Sequence, residues 1–262
     1  MTFIIALALI LTQCEKDQNN EIKLTNQFTD TAFFIALIEQ GVDTNGDSLI
    51  SYSEAEAVTS LDIAGYEGGG VWGPNQSRGI ENMKGIELFV NLDTLDCSVN
   101  DIVSLDLSQN ASLTYLRCSW NQLSNLDVSN CTGLKKVDCP KNQLTSLDVS
   151  NNTALTFLRF SSNQLTSLDV SNCPHLIDLR AYGNPLTSLD VSKNTALKNL
   201  LLGNNLLTSL DVSSNIALQW LIIGETPTLH KVCVWTTPFP PDGVTVWSDD
   251  SPNVYFTTDC SK

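Results

Sequence analysis

The chain has 262 residues, of which 42% are hydrophobic and 16% are charged. That length and apolar content are enough to bury a sizeable core, and they are not the composition of a disordered chain. The net charge of −15 argues against a nucleic-acid-binding protein, because phosphate binding needs clustered lysine and arginine in a favourable surrounding field.

An apolar run from Phe3 to Leu11 lies near the start of the chain. It is too short to span a bilayer and suits the apolar part of a signal peptide. The residues LTQC, which end at Cys14, resemble the lipobox of bacterial lipoproteins. This resemblance implies a signal peptide at residues 1–13 and a lipidated Cys14 that anchors the chain in a membrane. A plain secretory signal with an incidental cysteine is the alternative.

The residues after Cys14 are polar and begin with EKDQNN, which resembles the surface-export signal of Bacteroidetes lipoproteins. We interpret residues 14–26 as the lipidated cysteine and a tether that holds the next domain off the membrane. The resemblance implies an outer-membrane lipoprotein exposed at the cell surface, with a periplasmic location as the alternative.

Residues 43–54, DTNGDSLISYSE, carry oxygen ligands at the spacing of an EF-hand calcium loop. A helix ending at Gly41 is predicted before the loop and a short helix after it. The candidate ligands of a structural calcium ion are Asp43, Asn45, Asp47, Leu49 through its carbonyl, Ser51 and Glu54.

Ser48 departs from the EF-hand pattern, because that family has glycine at this position for a turn with positive φ. The loop belongs to an N-terminal cap at residues 27–91, in which calcium would stiffen the cap over the first coil. An acidic turn without metal is the alternative. The glycine-rich stretch at residues 66–75 is interpreted as a surface loop of the same cap.

The dipeptide Leu-Asp recurs every 21 residues, at 105, 126, 147, 168, 189 and 210. Each unit has the form L-x-x-L-x-Φ-x-x-N-x-L-x-x-L-D-Φ-S-x-N, where Φ is apolar. This pattern resembles the leucine-rich-repeat family, specifically a bacterial class with two nested half-repeats, and it covers residues 92–228. The fold implied is a leucine-rich-repeat solenoid, mostly β, right-handed and weakly curved, with a short helical N-terminal cap and a β-rich C-terminal cap.

The same solenoid follows from the alternation of apolar residues. Leu116 with Cys118, and Leu126 with Val128, point inward from short extended segments, and no single unit can bury its apolar edge alone. An inward asparagine in each turn is expected to satisfy backbone groups left unpaired there. This column contains Asn100, Asn121, Asn142, Asn163, Asn184 and Asn205, and a second column contains Asn110, Cys131, Asn152, Cys173, Asn194 and Asn215.

The seven cysteines after Cys14 fall into two groups. Cys97, Cys118 and Cys139 share an inward column, and Cys131 and Cys173 lie two coils, or about 9.6 Å, apart, so all five are expected to be free thiols. Cys233 and Cys260 flank the C-terminal β cap at residues 229–262 and are predicted to form a disulfide that pins it.

The outward positions of the concave strands carry aromatic and arginine side chains, which are the residue types of interface hot spots. Strands of solenoids favour aromatic residues in any case, which is the alternative explanation. The candidate ligand-binding residues are Tyr115, Arg117, Trp120, Phe157, Arg159, Arg180, Tyr182 and Trp220.

No catalytic arrangement is apparent, since His175 and His230 are the only histidines and neither has a placed nucleophile beside it. Members of the repeat family mostly serve as recognition scaffolds. The resemblance therefore implies a monomeric, non-enzymatic scaffold at the cell surface that binds a protein ligand through its concave face. An extracellular glycan as ligand, or a structural envelope subunit without an external ligand, are the alternatives.

Overall fold

The computed structural model describes residues 27–65 and 79–261. The predicted signal peptide, Cys14, the tether and the glycine-rich stretch at 66–75 lie outside these residues. The described part contains helices α1 (Thr31–Glu39) and α2 (Tyr52–Ala57) and a 3-10 turn at Ile86–Leu88. Neither helix is long and apolar enough to be a membrane span.

Twelve strands of three residues each make up the rest of the regular structure in the described residues. They are β1 (Ser60–Asp62), β2 (Thr94–Asp96), β3 (Tyr115–Arg117), β4 (Lys136–Asp138), β5 (Phe157–Arg159), β6 (Asp178–Arg180), β7 (Asn199–Leu201), β8 (Ser209–Asp211), β9 (Trp220–Ile222), β10 (Lys231–Cys233), β11 (Thr245–Trp247) and β12 (Tyr255–Thr257).

Nine of these strands form one parallel sheet in the order β1-β2-β3-β4-β5-β6-β7-β9-β11. From β2 to β7 and on to β9, each residue pairs with the residue 21 positions later, as Leu116 does with Val137 and Val137 with Leu158. Coils of constant length therefore stack in register, as the repeat predicts. The structure is a parallel β-solenoid of about eight turns.

A smaller parallel sheet, β12-β10-β8, closes the other side of the last coils. Of the six Leu-Asp half-repeats, all within the described residues, only the last one, in β8, forms a regular strand. In all six, the N–H of the serine two residues on donates to the aspartate, as Ser129 does to Asp127 Oδ1 and Ser213 does to Asp211 Oδ1, both at 2.9 Å. Extended half-repeats on both sides were expected; only β8 becomes a regular strand, because it pairs with β10 of the C-terminal cap.

The core runs through the middle of the coils as one cluster from Phe28 to Val234. The residues predicted to point inward are buried: Leu116 and Cys118 are 0% exposed, Leu126 3% and Val128 1%. Each buried leucine contributes roughly 1.5–3 kcal/mol, and the stacking of neighbouring coils is what buries it.

The turn asparagines bond to two coils at once. Asn121 Nδ2 donates to the carbonyl of Cys118 in its own coil and to that of Cys97 in the previous coil, at 3.1 and 3.0 Å. Its Oδ1 accepts from the N–H of Ile102 at 3.0 Å. Asn142 repeats these contacts. The predicted role of the column is confirmed, because each amide satisfies backbone groups that no ladder reaches.

The second inward column shows how cysteine replaces asparagine. Asn152 Nδ2 donates to the carbonyls of Val128 and Cys131 at 3.0 and 2.8 Å, whereas Cys131 Sγ donates to that of Asn110 at 3.4 Å. Burial raises the pKa of the Cys131 thiol to about 11, so it stays protonated and able to donate. A thiol is a weaker donor than an amide, but it leaves no unpaired polar atom when it fills the same space.

Each coil also makes a left-handed turn immediately before its turn asparagine, or before Thr226 in the last coil of the column, which the sequence did not reveal. The φ angles there lie between 53° and 69°. The residues are Val99, Trp120, Lys141, Ser162, Gly183, Asn204 and Glu225. Only one is glycine, so the backbone conformation is imposed by the stacked ladder rather than by local preference.

The N-terminal cap is tied to the first coils by Asp30. Its Oδ1 caps α1 by accepting from the N–H of Phe33 at 2.9 Å, and its Oδ2 accepts from the N–H groups of Glu81 and Asn82 at 2.8 and 2.9 Å. The predicted helix is present but ends at Glu39, two residues before the predicted end at Gly41, which has a positive φ. Phe28 packs edge-on against Phe33 at 5.8 Å between ring centroids.

The C-terminal cap contains the predicted disulfide between Cys233 and Cys260, whose Cα atoms are 5.5 Å apart. The five remaining cysteines of the described residues are free and buried, which confirms the prediction from their columns. They are Cys97, Cys118, Cys131, Cys139 and Cys173.

Candidate binding surface

We call the outward face of the nine-stranded sheet the concave face. Parallel strands in constant register place its side chains in three rows, one residue of each row per coil. The first row is Ser60, Thr94, Tyr115, Lys136, Phe157, Asp178, Asn199, Trp220 and Thr245. The middle row is Asp62, Asp96, Arg117, Asp138, Arg159, Arg180, Leu201, Ile222 and Trp247. The last row includes Ser119, Ser161, Tyr182, Gly203 and Gly224.

The middle row is charged from β2 to β6, and we call this part of the face, together with its flanking first-row residues, the charged half. Arg117 Nη1 lies 3.1 Å from Asp96 Oδ2, and its Nε lies 3.7 Å from Asp138 Oδ2. Arg159 Nη1 approaches Asp138 Oδ1 at 3.8 Å. Asp138 is only 8% exposed and is thus the buried anchor of two arginines.

A second anchor, Asp178, holds Arg180 through two hydrogen bonds, from Nε at 2.7 Å and Nη2 at 2.8 Å. These bonds raise the pKa of Arg180 further. The guanidinium also lies 5.5 Å from the centroid of the Phe157 ring, and Asn199 Nδ2 donates to the same carboxylate at 2.7 Å. The arginine is therefore fixed from several sides before any ligand arrives.

The structure brings most of the predicted ligand-binding residues onto this half. They are Tyr115 and Arg117 on β3, Phe157 and Arg159 on β5, and Arg180 on β6, and β4 lies between β3 and β5 in the sheet. The buried acids that position the arginines were not singled out by sequence reasoning. Their signal was nonetheless present, since Asp138 lies 21 residues from both Arg117 and Arg159 in the same row, and Asp178 lies two residues before Arg180 on the same strand face.

Trp120 stands apart at the left-handed turn of its coil, 46% exposed, with Lys141 Nζ 5.4 Å from its ring centroid. Tyr182 follows Arg180 by two residues in the last coil of the arginine row, and Trp220 lies beyond it, where the middle row changes to Leu201, Ile222 and Trp247. We call this the apolar half. The sequence did not reveal Trp247 as part of the face, because β11 belongs to the C-terminal cap and has no 21-residue spacing.

The predicted calcium loop folds around its own side-chain oxygens. Asp43 Oδ1 accepts from the N–H of Gly46 at 2.8 Å and its Oδ2 from that of Ser48 at 2.8 Å. Asn45 Oδ1 accepts from the N–H of Asp47 at 2.8 Å. Ser48 has a φ of 63°, so the backbone adopts the conformation that EF-hand loops assign to glycine.

The last candidate ligand, Glu54, is 7% exposed and turned towards the loop and the start of α2. Its Oε1 accepts from the N–H of Thr44 at 2.8 Å and its Oε2 from that of Ser51 at 2.9 Å. Burial opposes its ionisation, but the hydrogen bonds from Ser51 and Thr44 outweigh burial and lower its pKa. The donor set is made of hard oxygens and suits Ca²⁺ in chemistry, although here these oxygens bind the loop's own donors.

One group of three close metal-ligand atoms occurs in the described residues, formed by Asp211, Cys233 and Cys260. The two cysteines are joined as a disulfide, so this group offers no thiolate. On the opposite side of the coils, the exposed aspartate column is held by its serines: hydrogen bonds from Ser129 and Ser150 lower the pKa of Asp127 and Asp148. That column therefore needs no metal to balance it.

A scan against protein-family models and a search of curated proteins give no match. Among solved structures, the chain is similar to the functional domain of InlJ from Listeria monocytogenes, which includes a cysteine ladder. That likeness has 25% identity and a TM-score of 0.51, and it covers 92% of this chain. The chain spans just under two thirds, 64%, of the length of that domain.

The chain is also similar to internalin C2 of Listeria monocytogenes, with 20% identity and a TM-score of 0.50 over 74% of this chain and 93% of the other. This second likeness concerns the fold alone. Together with the constant register and the 21-residue coil, the two likenesses establish that the chain is a leucine-rich-repeat solenoid.

Proposed function

We propose that this chain is a binding scaffold that recognises a protein ligand through the charged half of its concave face. The leucine-rich-repeat fold supports this, because it presents an extended sheet whose outward positions can vary without disturbing the core. No catalytic role is part of the proposal.

The observation that carries the proposal is the way buried acids position partly exposed arginines. The Arg117 and Arg159 side chains are 28% and 41% exposed, while the Asp138 side chain between them is 11% exposed. Arginines held in one geometry lose less side-chain entropy when they bind, and arginine beside aromatic rings is typical of interface hot spots.

The ligand is expected to be acidic where it meets this half. Lys135, Lys136 and Lys141 lie beside the arginine row, and Lys136 Nζ is 6.0 Å from the centroid of the Tyr115 ring. The protein as a whole carries a net charge of −15, so a locally basic strip on it would orient an acidic partner as it approaches.

The test compares captures by the immobilised protein, by the double variant Phe157→Ala/Arg159→Ala and by the control Lys193→Ala. Extracellular proteins of candidate partner cells are the input, and each captured protein is then titrated in purified form. Lys193 is exposed and lies outside the concave face. We expect the double variant to lose binding and the control to keep it, with similar melting temperatures. Equal affinities for all three would reject this face, and capture of an envelope protein alone would favour a structural subunit.

We also propose that the chain is a lipoprotein anchored through Cys14 at the outer membrane and exposed at the cell surface. The proposal rests on the N-terminal sequence. Metabolic labelling with a fatty acid should mark the wild-type chain and not Cys14→Ala, and protease added to intact cells should remove the solenoid. Labelling without protease sensitivity would place it in the periplasm, and absence of labelling would leave a plain secretory signal.

We further propose that the loop at residues 43–54 binds a structural calcium ion. Asp43, Asn45, Asp47, Ser51 and Glu54, with the carbonyl of Leu49, would supply the ligands. Binding at about 100 times the dissociation constant stabilises a fold by roughly 2.7 kcal/mol. Calcium should therefore raise the melting temperature measured by calorimetry, EDTA should reverse this, and Asp47→Ala should abolish it while Asp242→Ala does not. A melting temperature that does not change when EDTA is added would favour the alternative, an acidic turn that binds no metal.

A further inference from the structure

We infer that the apolar half of the concave face contains a second binding site, for an uncharged saccharide. We call it the aromatic platform and define it by the rings of Tyr182, Trp220 and Trp247 with the carboxylates of Glu225 and Asp249. It is separate from the arginine strip to which we assign protein binding.

Two buried glycines form the floor of the platform. A Cβ atom at Gly203 would lie 3.0 Å from Cδ2 of Tyr182, and one at Gly224 would lie 3.4 Å from Cδ2 of Trp247. The rings therefore lie directly over bare backbone. In the charged half the same row carries side chains, such as Ser119 and Ser161, so this floor is specific to the C-terminal coils.

The polar edges of two rings are fixed by acids. Tyr182 Oη donates to Glu225 Oε2 at 2.6 Å, and Trp247 Nε1 donates to Asp249 Oδ2 at 2.6 Å. Each ring is thus held by the glycine floor beneath it and by a carboxylate at its edge. Their orientations are set before a ligand binds, which reduces the entropy lost on binding.

The rings remain accessible from solvent. Trp220 is 51% exposed and Trp247 is 36% exposed, and both belong to adjacent strands β9 and β11. Trp220 lies in the first row and Trp247 in the middle row, two residues further along, so the rings occupy diagonal positions on adjacent strands. Exposed large aromatics on adjacent strands of one face indicate a site rather than scattered surface residues.

This chemistry matches a sugar ring. A pyranose has an apolar C–H face that stacks on an aromatic face, and hydroxyl groups around its edge that donate hydrogen bonds. Glu225 and Asp249 each bind a ring through one oxygen and have a second oxygen that can accept from a hydroxyl. A protein ligand would instead anchor side chains in pockets, whereas the glycine floor makes this surface flat.

Charge decides which saccharides fit. Two carboxylates border the platform, and the chain carries a net charge of −15, so anionic glycans are repelled. The ligand is therefore an uncharged saccharide chain long enough to cross two or three coils.

The test is affinity electrophoresis of the full chain in gels containing neutral polysaccharides: dextran, mannan, β-1,3-glucan and xyloglucan, with polygalacturonate as the anionic comparator. We expect retardation by at least one neutral polymer and none by polygalacturonate. Trp220→Ala/Trp247→Ala should weaken this binding by about tenfold or more, the loss of two stacking contacts. Trp120→Ala is the matched control, since Trp120 is similarly exposed at 46% but lies outside the platform.

The single variant Trp220→Ala guards against misfolding, because this half-exposed side chain contributes little to the core. Retardation by no neutral polymer, or an equal loss in Trp120→Ala, would overturn the inference. Phe157→Ala/Arg159→Ala separates the two sites: it should leave retardation unchanged. The experiment therefore tests the aromatic platform separately from the protein-binding site.

Discussion

The charged and apolar halves of the concave face share one backbone and differ almost entirely in surface chemistry. The strands pair in the same register throughout, with Leu116 and Leu200 equally buried behind them. In the charged half the middle row alternates aspartate and arginine from Asp96 to Arg159 and adds a further arginine at Arg180, and in the apolar half it continues as Leu201, Ile222 and Trp247. The comparison teaches that the coil leaves its outward positions free to carry two different kinds of site.

The outward positions can vary because inward and outward residues have different structural roles in each coil. Inward leucines and turn asparagines supply the stability, and neighbours in the stack supply the register. Outward side chains contact mainly the same row in adjacent coils. Changes on one half should therefore have local effects, and the following predictions test that independence in order of expected effect.

Gly224→Val should destabilise the protein most, by about 3 kcal/mol, because overpacking forces the backbone to shift. A Cβ atom there would lie 2.8 Å from the carbonyl oxygen of Asp249. Ser161→Val, at the same row position in the charged half, already accommodates a Cβ and should change the free energy of unfolding by less than about 1 kcal/mol. Urea denaturation measures both. Similar losses of stability in the two variants would mean that the last row has as much space for a side chain at Gly224 as at Ser161.

Asp138→Ala should destabilise the charged half by about 2 kcal/mol, because it leaves Arg117 and Arg159 facing each other without their shared partner. The control Asp242→Ala removes an exposed acid in the C-terminal cap and should be nearly neutral. Calorimetric unfolding provides the comparison. Asp138→Ala should not change the retardation of the protein in gels that contain a neutral polysaccharide. A loss of that retardation together with the loss of stability would show that the two halves are coupled.

Salt should affect the two proposed sites differently. Raising NaCl from about 50 to about 500 mM shortens the screening length several-fold, so affinity of a captured protein ligand for the charged half should fall by about tenfold. Stacking on the aromatic platform involves no ion pair and should change by less than about twofold. Titrations of both ligands at the two salt concentrations measure this. An equal response at both sites would contradict the assignment of charge to one half.

Tyr182→Phe should have the smallest effect, about 1 kcal/mol, from loss of the hydrogen bond to Glu225. That bond raises the pKa of Tyr182 above its ordinary value. Its contribution is therefore complete below the unfolded pKa, near 10, and is lost as pH rises through the higher folded pKa. The difference in stability between wild type and variant should shrink between these two values. A difference that stays constant across that window would show that Tyr182 gains nothing from Glu225.

Much of the fold could be predicted because every coil repeats the same demands. The inward positions of Leu116 and Cys118, the turn role of Asn121 and the free state of Cys131 all follow from the 21-residue period. The disulfide between Cys233 and Cys260 was predicted from the position of both residues beyond the repeats.

Less of the candidate sites could be predicted. The outward arginines were evident, but their dependence on Asp138 was not, since Asp138 becomes buried only when Arg117 and Arg159 of the two neighbouring coils pack against it. The left-handed turn at Trp120 was hidden as well, because most residues at that position are not glycine and local preference gives no signal.

The sequence by itself determined the coil length, the inward columns and therefore the solenoid. The reason is that each coil must bury the same inward positions, so apolar residues and asparagines recur every 21 residues along the chain. Tertiary structure alone decided that β11 completes the sheet, placing Trp247 on the strand next to Trp220. That strand lies outside the repeat, and its pairing follows from the exposed ladder edge of the last coil rather than from any spacing along the chain.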